Sequence, residues 1–104
     1  MATVGFLHVA AEHVREARRL LAEHAPGVVD VHLVDRNLLT PGPDIATRVA
    51  ARVGELVGRD VDAVICTWPY LTDLVVRVAR ERGLAAAGVE ELMAPAGGVL
   101  ALSR

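Results

Sequence analysis

Short apolar runs alternate with amphipathic stretches along this chain, and this alternation restricts the possible folds more than any single residue does. Runs of strand-forming residues predict strands at residues 3–8, 28–34, 61–67, 84–89 and 99–102. Apolar residues at helical spacing predict helices at residues 12–24, 45–57 and 71–82. Because the strands are apolar on both faces, we expect an α/β fold: a flavodoxin-like parallel sheet of four to five strands flanked by helices.

Polar residues and glycines mark the predicted ends of these helices. Asp44 is placed to cap the second helix, and Thr72 or Asp73 the third. Gly58 and Gly83 are placed to end the same two helices.

Composition excludes several classes of protein. A chain of 104 residues predicts one α/β domain over 1–104, and a hydrophobic content of 53% supplies a core and favours a subunit interface. A net charge of -2 with no basic stripe argues against nucleic acid as a partner. No apolar run is long enough to span a membrane, and no leader is evident, so a cytoplasmic location is expected.

Common cofactor and metal motifs are missing from the sequence. It has no Walker A loop, no G-x-G-x-x-G and no G-x-S-x-G, and it has neither the strand-end aspartate nor the lysine of a phospho-receiver. The histidines match no standard metal spacing: His8, His13, His24 and His32. We therefore expect no metal, and we expect that any chemistry proceeds without a cofactor.

The single cysteine excludes an internal disulfide and lies within a predicted strand. Cys66 shares its side of that strand with Val64 and has apolar neighbours, so a buried and inert thiol is predicted rather than a nucleophile. Trp68 and Tyr70 follow at the end of the strand, where ligands bind in such sheets. They either wall a crevice there or pack over the sheet edge.

Five segments together resemble one lobe of the aspartate/glutamate racemase superfamily, which includes hydantoin racemases and arylmalonate decarboxylases. In chain order they are VGFLHV, HLVDRNLLTPG, DAVICTWPYL, GVEELM and GGVLALSR. The resemblance implies a single racemase-like lobe and a small carboxylate substrate. It also implies catalysis without a cofactor, by two thiols, of which each lobe of a typical member supplies one.

The sequence departs from that family at the nucleophile. In register with the family pattern, Thr67 takes the place of a threonine and Trp68 that of the catalytic cysteine, while Cys66 lies two residues earlier. A two-thiol racemase is therefore not expected. The chain ends about where a second lobe would begin, which predicts a homodimer whose two-fold axis replaces that lobe, with an interface near Leu38, Leu39 and Leu71.

Two classes of function follow from these observations. The first is a divergent isomerase or lyase that acts on a small carboxylate or related metabolite, with His8 or Glu91 supplying the proton transfer. Its site is expected at the strand tips, from His8, Asn37, Thr67, Trp68, Tyr70, Thr72 and Glu91. The second is a non-catalytic binding or partner module that kept the fold and lost the nucleophile. A domain without any site is the third alternative.

Overall fold

Strands and helices alternate through the described part of the chain as the sequence predicts. The structure, a computed structural model, describes residues 2–89. The strands are β1 Thr3–His8, β2 Val29–Val34, β3 Ala63–Cys66 and β4 Ala85–Gly88. The helices are α1 Glu12–His24, α2 Ile45–Val57 and α3 Thr72–Glu81, with short 3-10 turns at Arg36–Leu39 and Pro69–Leu71. The predicted fifth strand at 99–102 and Glu91 lie outside the described residues.

The four strands form one parallel sheet in the order β2-β1-β3-β4. The chain moves from β1 to β2 on one side and then crosses to β3 on the other side of β1. The order therefore reverses between β1 and β3, and in open α/β sheets the crevice at this switch point is where ligands bind. This flavodoxin-like arrangement confirms the predicted fold class.

The alternation of side chains along each strand divides the core into two layers. On one face, Phe6 and Ile65 pack with Leu20 and Leu21 of α1. On the other face, α2 and α3 pack with the intervening strand residues, among them Val64. Each fully buried aliphatic or aromatic side chain contributes about 1.5–3 kcal/mol to folding.

Helix α2 approaches β1 closely because Gly5 has no side chain. A Cβ atom at this position would lie 2.9 Å from a Leu56 methyl and 3.1 Å from Val61. Gly83 adopts a positive φ of 78° just after α3, which glycine accommodates without strain. Gly58 follows α2 with an ordinary negative φ, and the left-handed residue in that turn is Asp60.

Some predicted details are wrong. Asp44 occupies the predicted cap position of α2, but its carboxylate accepts a hydrogen bond from Arg48 at 2.9 Å and caps no backbone amide. Neither Thr72 nor Asp73 caps α3: Leu71 occupies the cap position, without a side-chain bond. Strand β3 is shorter than predicted, since its pairing with β4 extends over only four residues. Within residues 2–89 no helix is both long and apolar enough to cross a membrane.

Candidate functional site

The site begins where the carboxyl ends of β1 and β3 lie side by side. His8 is the last residue of β1, and its side chain is completely buried. Thr67 follows β3 and is held beside β1 by a hydrogen bond from its amide to the carbonyl of Leu7, at 3.2 Å. The Nδ1 atom of His8 lies 2.8 Å from the Thr67 hydroxyl oxygen. A buried imidazole and a hydroxyl are thus in hydrogen-bond contact at the switch point.

The hydrogen bonds continue from His8 into the edge strand β2. The Nε2 atom of His8 lies 2.8 Å from Nδ1 of His32, and Nε2 of His32 lies 2.6 Å from the Asp30 carboxylate. Asp30 and His32 are two residues apart on β2, so both lie on the face covered by α1. The rings of His8 and His32 stack at 5.1 Å, and Phe6 stacks against His32 at 4.9 Å. We call the series Thr67–His8–His32–Asp30 the relay.

One arrangement of protons satisfies every member of the relay with both imidazoles neutral. The Asp30 carboxylate only accepts, so Nε2 of His32 carries hydrogen and its Nδ1 accepts. The Nε2 atom of His8 therefore donates to His32, which leaves Nδ1 of His8 as the acceptor for the Thr67 hydroxyl. The other acceptor near that hydroxyl, the Leu7 carbonyl, lies farther away at 3.4 Å and already accepts the Thr67 amide.

Burial sets the charge of the central imidazole. Desolvation, with smaller effects from the nearby His32 and His13, lowers the pKa of His8 from 6.5 to about 4. His8 is therefore a neutral proton acceptor near neutral pH. At the far end of the relay, burial acts to raise the pKa of Asp30, but the His32 hydrogen bond and the Arg18 guanidinium, 3.6 Å away, hold it below its usual value. Asp30 thus remains ionised.

Thr67 lines a cavity of about 250 Å³ beside helix α1. Its apolar lining comes from Ala17, Leu20 and Val89, and its other polar groups come from His13, Glu16 and Arg19. The cavity matches a molecule of metabolite size. Only Thr67 of the relay lines it, so His8 can act on a bound molecule only through the Thr67 hydroxyl.

Two basic side chains of α1 face this cavity. Nδ1 of His13 is buried and has no hydrogen-bond partner within the described residues, although buried polar atoms ordinarily have one. The His13 ring stacks on Trp68 with a centroid distance of 6.0 Å. Arg19 forms ion pairs with Glu16 and Glu23 at the surface. His13 and Arg19 therefore offer hydrogen-bond donors to a bound anion.

The structure brings some of the sequence-predicted site residues together and separates others. His8 and Thr67 are in direct contact, but His8 is buried rather than open to the crevice. Trp68 is half-buried against His13, whereas Tyr70 tilts against Trp68 and is 85% exposed. Tyr70 therefore does not enclose a crevice by itself.

Asn37 and Thr72 are engaged away from the cavity. The backbone N–H of Asn37 donates to the Asp35 carboxylate, and its backbone carbonyl accepts a hydrogen bond from Arg48 of α2. Thr72 donates its hydroxyl to the Trp68 carbonyl at 3.4 Å. Neither side chain lines the cavity. Glu91, the seventh predicted site residue, lies outside the described range.

The cysteine is buried on the opposite face of the sheet, as predicted. Cys66 is 1% exposed within the layer of α2 and α3, and its thiol donates to the Trp68 carbonyl at 3.3 Å. The thiol therefore does not face the cavity that Thr67 lines.

Sequence reasoning missed five polar residues of this site: His13, Glu16, Arg19, Asp30 and His32. Asp30 and His32 were detectable as polar residues at alternate positions of an otherwise apolar strand, because that spacing puts both on one face. Their contact with His8 depends on the pairing of β1 with β2, which places His32 opposite Phe6. Among residues 2–89, no group of three or more histidine, cysteine or acidic side chains is arranged to hold a metal ion.

Comparisons with known proteins do not assign this site. No protein-family model, curated protein or solved structure matches the chain. The function must therefore be argued from the site itself.

Proposed function

We propose that this chain binds a small carboxylate-bearing metabolite in the cavity beside Thr67 and transfers a proton to or from it, without a cofactor. One observation supports this most: the Thr67 hydroxyl lines a cavity and is hydrogen-bonded to a buried imidazole held neutral. General acid–base catalysis requires such a group within hydrogen-bond reach of the reacting proton, and contributes about 10²–10⁴-fold in rate.

The proton moves through Thr67 because His8 cannot touch the ligand. As Thr67 gives its proton to the ligand, its oxygen would regain one from Nδ1 of His8 only if that nitrogen carried hydrogen, which requires the opposite tautomers along the relay. The geometry instead favours the opposite direction, in which Thr67 takes the ligand proton as its own proton passes to Nδ1 of His8, 2.8 Å away. Asp30 stabilises the resulting positive charge through His32.

A carboxylate is the ligand chemistry that the cavity fits best. Arg19 and His13 supply donors, while the apolar lining suits a short carbon skeleton. Arg19 already pairs with Glu16, but exposed ion pairs contribute only about 0–1 kcal/mol. A ligand carboxylate can therefore replace Glu16 on Arg19 at little cost, because it can accept the same two hydrogen bonds from Arg19 that Glu16 accepts.

The family resemblance supports the same ligand class and a different proton-transfer group. Members of the superfamily act on small carboxylates at this end of the sheet, and the segments VGFLHV and DAVICTWPYL contribute His8 and Thr67. Because Cys66 is buried on the other face and Trp68 replaces the family thiol, Thr67 and His8 would take over the role of the thiol. The chain would then be a divergent racemase-like isomerase or lyase.

A ligand titration followed by NMR tests the binding. With malonate, succinate or L-aspartate, the amide signals of His13 and Thr67 should shift and saturate, with dissociation constants below about 10 mM. Arg19→Gln should weaken binding about tenfold, since a charge-assisted bond is lost. Arg77→Gln, an exposed arginine on α3, is the matched control. Absence of saturation with all three acids would refute the carboxylate site.

Deuterium exchange separates catalysis from binding alone. A bound acid that acquires deuterium at carbon in D₂O, in wild type but not in Thr67→Val, would support proton transfer. Saturable binding without exchange would favour the non-catalytic binding module. The observation that favours the binding module is that Trp68 takes the position of the family's catalytic cysteine.

We also propose that the chain forms a homodimer. The edge strand β2 leaves Val29 and Val34 more than 40% exposed, and exposed apolar strand edges favour pairing. Of the leucines expected at the interface, Leu38 and Leu71 are buried in the core of the chain itself, and Leu39 is 41% exposed. Of these three leucines, Leu39 is therefore the one whose side chain is available to such an interface.

A further inference from the structure

We infer that Thr67 is also a nucleophile, which small activated esters acylate on its hydroxyl oxygen. This inference uses the cavity of the proposed function but does not need a carboxylate ligand. Its basis is the order of the relay, in which His32 and Asp30 orient the imidazole that accepts the Thr67 proton. A nucleophile, a base within hydrogen-bond reach and a third group that orients the base are the signature of an activated hydroxyl.

The three hydrogen bonds of the relay meet this description in order. The hydroxyl of Thr67 lies 2.8 Å from its base, His8. His8 is oriented by His32 at 2.8 Å, and His32 is oriented by Asp30 at 2.6 Å. Since His8 is completely buried, its ring is fixed, and its only acceptor nitrogen in the neutral relay points at Thr67. His32 and Asp30 are thus positioning residues that keep Nδ1 of His8 unprotonated.

The second imidazole, His32, also reduces the cost of forming a positive charge in the relay. A single desolvated imidazole is a weak base, because its positive form is costly in the interior. As Nδ1 of His8 accepts the Thr67 proton, Nε2 of His8 can release its own proton to Nδ1 of His32. The positive charge then lies on His32, in direct contact with the Asp30 carboxylate, which is partly exposed. The relay therefore moves the charge away from the buried position.

The acylation step balances with the groups present. The Thr67 oxygen bonds to the ester carbonyl carbon while its proton passes to His8, which gives a tetrahedral oxyanion. The carbon–oxygen bond to the leaving group then breaks, and an activated leaving group such as p-nitrophenolate departs as the anion while the relay keeps the Thr67 proton.

The cavity also offers a hydrogen-bond donor for the oxyanion and an apolar wall for the acyl chain. His13 Nδ1, buried without a partner among the described residues, offers a hydrogen bond to the oxyanion when it carries hydrogen. Ala17, Leu20 and Val89 form an apolar wall for the acyl chain. A cavity of about 250 Å³ restricts the substrate to short acyl esters.

Incubation with p-nitrophenyl acetate tests the inference by mass spectrometry. The intact protein should gain one acetyl group, and fragmentation of the tryptic peptide 60–77 should place it on Thr67. Thr67→Val should show no adduct there, while Thr67→Ser should keep it, which shows that the hydroxyl and not the fold is responsible. Thr47→Val, at an exposed position of α2, is the control and should behave as wild type.

A separate measurement, the acylation rate and its pH profile, tests the positioning role of Asp30. Asp30→Asn should slow acylation at least about tenfold and shift the pH profile of the acylation rate, because a neutral amide no longer stabilises charge on His32. An unchanged rate and profile in folded Asp30→Asn would refute the relay.

Other outcomes decide between the two proposals. Acetyl groups found only on histidines or the N-terminus, or equally abundant in Thr67→Val, would overturn the nucleophile. If carboxylates bind and Thr67 is not acylated, the proposed function stands and this inference fails. If Thr67 is acylated and no carboxylate binds, this inference stands without the carboxylate site.

Discussion

Mild acid should destabilise the protein through a single buried side chain, His8. Its pKa is about 4 in the folded chain against 6.5 when unperturbed. As the pH falls through this interval, the unfolded chain takes up a proton on His8 that the folded chain does not. Stability from this group is therefore fully present above about pH 6.5 and is lost progressively down to about pH 4.

The magnitude follows from the two pKa values. Each pKa unit corresponds to about 1.4 kcal/mol, so the whole interval amounts to roughly 3 kcal/mol in the free energy of unfolding. Between about pH 7 and about pH 4.5, the linkage relation gives a loss of roughly 2.5 kcal/mol. This loss is large beside the 5–15 kcal/mol that is typical for a domain, about a fifth to a half of it.

Urea unfolding at a series of pH values measures the effect, with His8→Gln as the variant that cannot titrate. His8→Gln should be less stable at neutral pH, because Thr67 and His32 lose their partner, but its stability should fall much less with pH. His24→Gln, which removes an exposed histidine, should keep the wild-type loss. The hydrogen bond from Arg52 is the main cause of the lowered pKa of Asp35. Asp35 therefore loses its contribution to the free energy of unfolding only when the pH falls below the ordinary carboxyl range. Parallel pH dependences for wild type and His8→Gln would refute the reasoning.

Four further outcomes are expected. Iodoacetamide should label Cys66 only on unfolding, because the thiol is 1% exposed; rapid labelling of the native protein would contradict this. Gly5→Ala should lower the free energy of unfolding by about 1–3 kcal/mol through overpacking, as urea midpoints will show, whereas Gly42→Ala, with no atom nearer than 3.4 Å, should change it little. Asp35→Asn should cost about 1.5–3 kcal/mol by weakening the 2.7 Å bond from Arg52, measured by the same unfolding curves at neutral pH. Light scattering should give twice the monomer mass of 11.0 kDa, and a clean monomer at micromolar concentration would exclude the homodimer.

Much of the fold was readable from local patterns. The bounds of β1 and α1 were predicted to the residue, because a short apolar run and a 3.6-residue period are properties of neighbouring positions. The burial of Cys66 followed from the same alternation. Helix caps were predicted less well. Asp44 occupies the cap position of α2, but its carboxylate pairs with Arg48 one turn farther along the same helix instead of with a backbone amide.

By itself, the sequence determined that the chain alternates strands and helices and that polar residues gather at the strand ends. It identified His8 and Thr67 at those strand ends. It did not indicate that His8 would be buried under α1 and would reach a ligand only through Thr67. Only the tertiary structure decided this, since the strands that join in the relay are 24 and 59 residues apart in sequence. The order of strands in a sheet depends on how whole helices cover its two faces, and no local pattern encodes it.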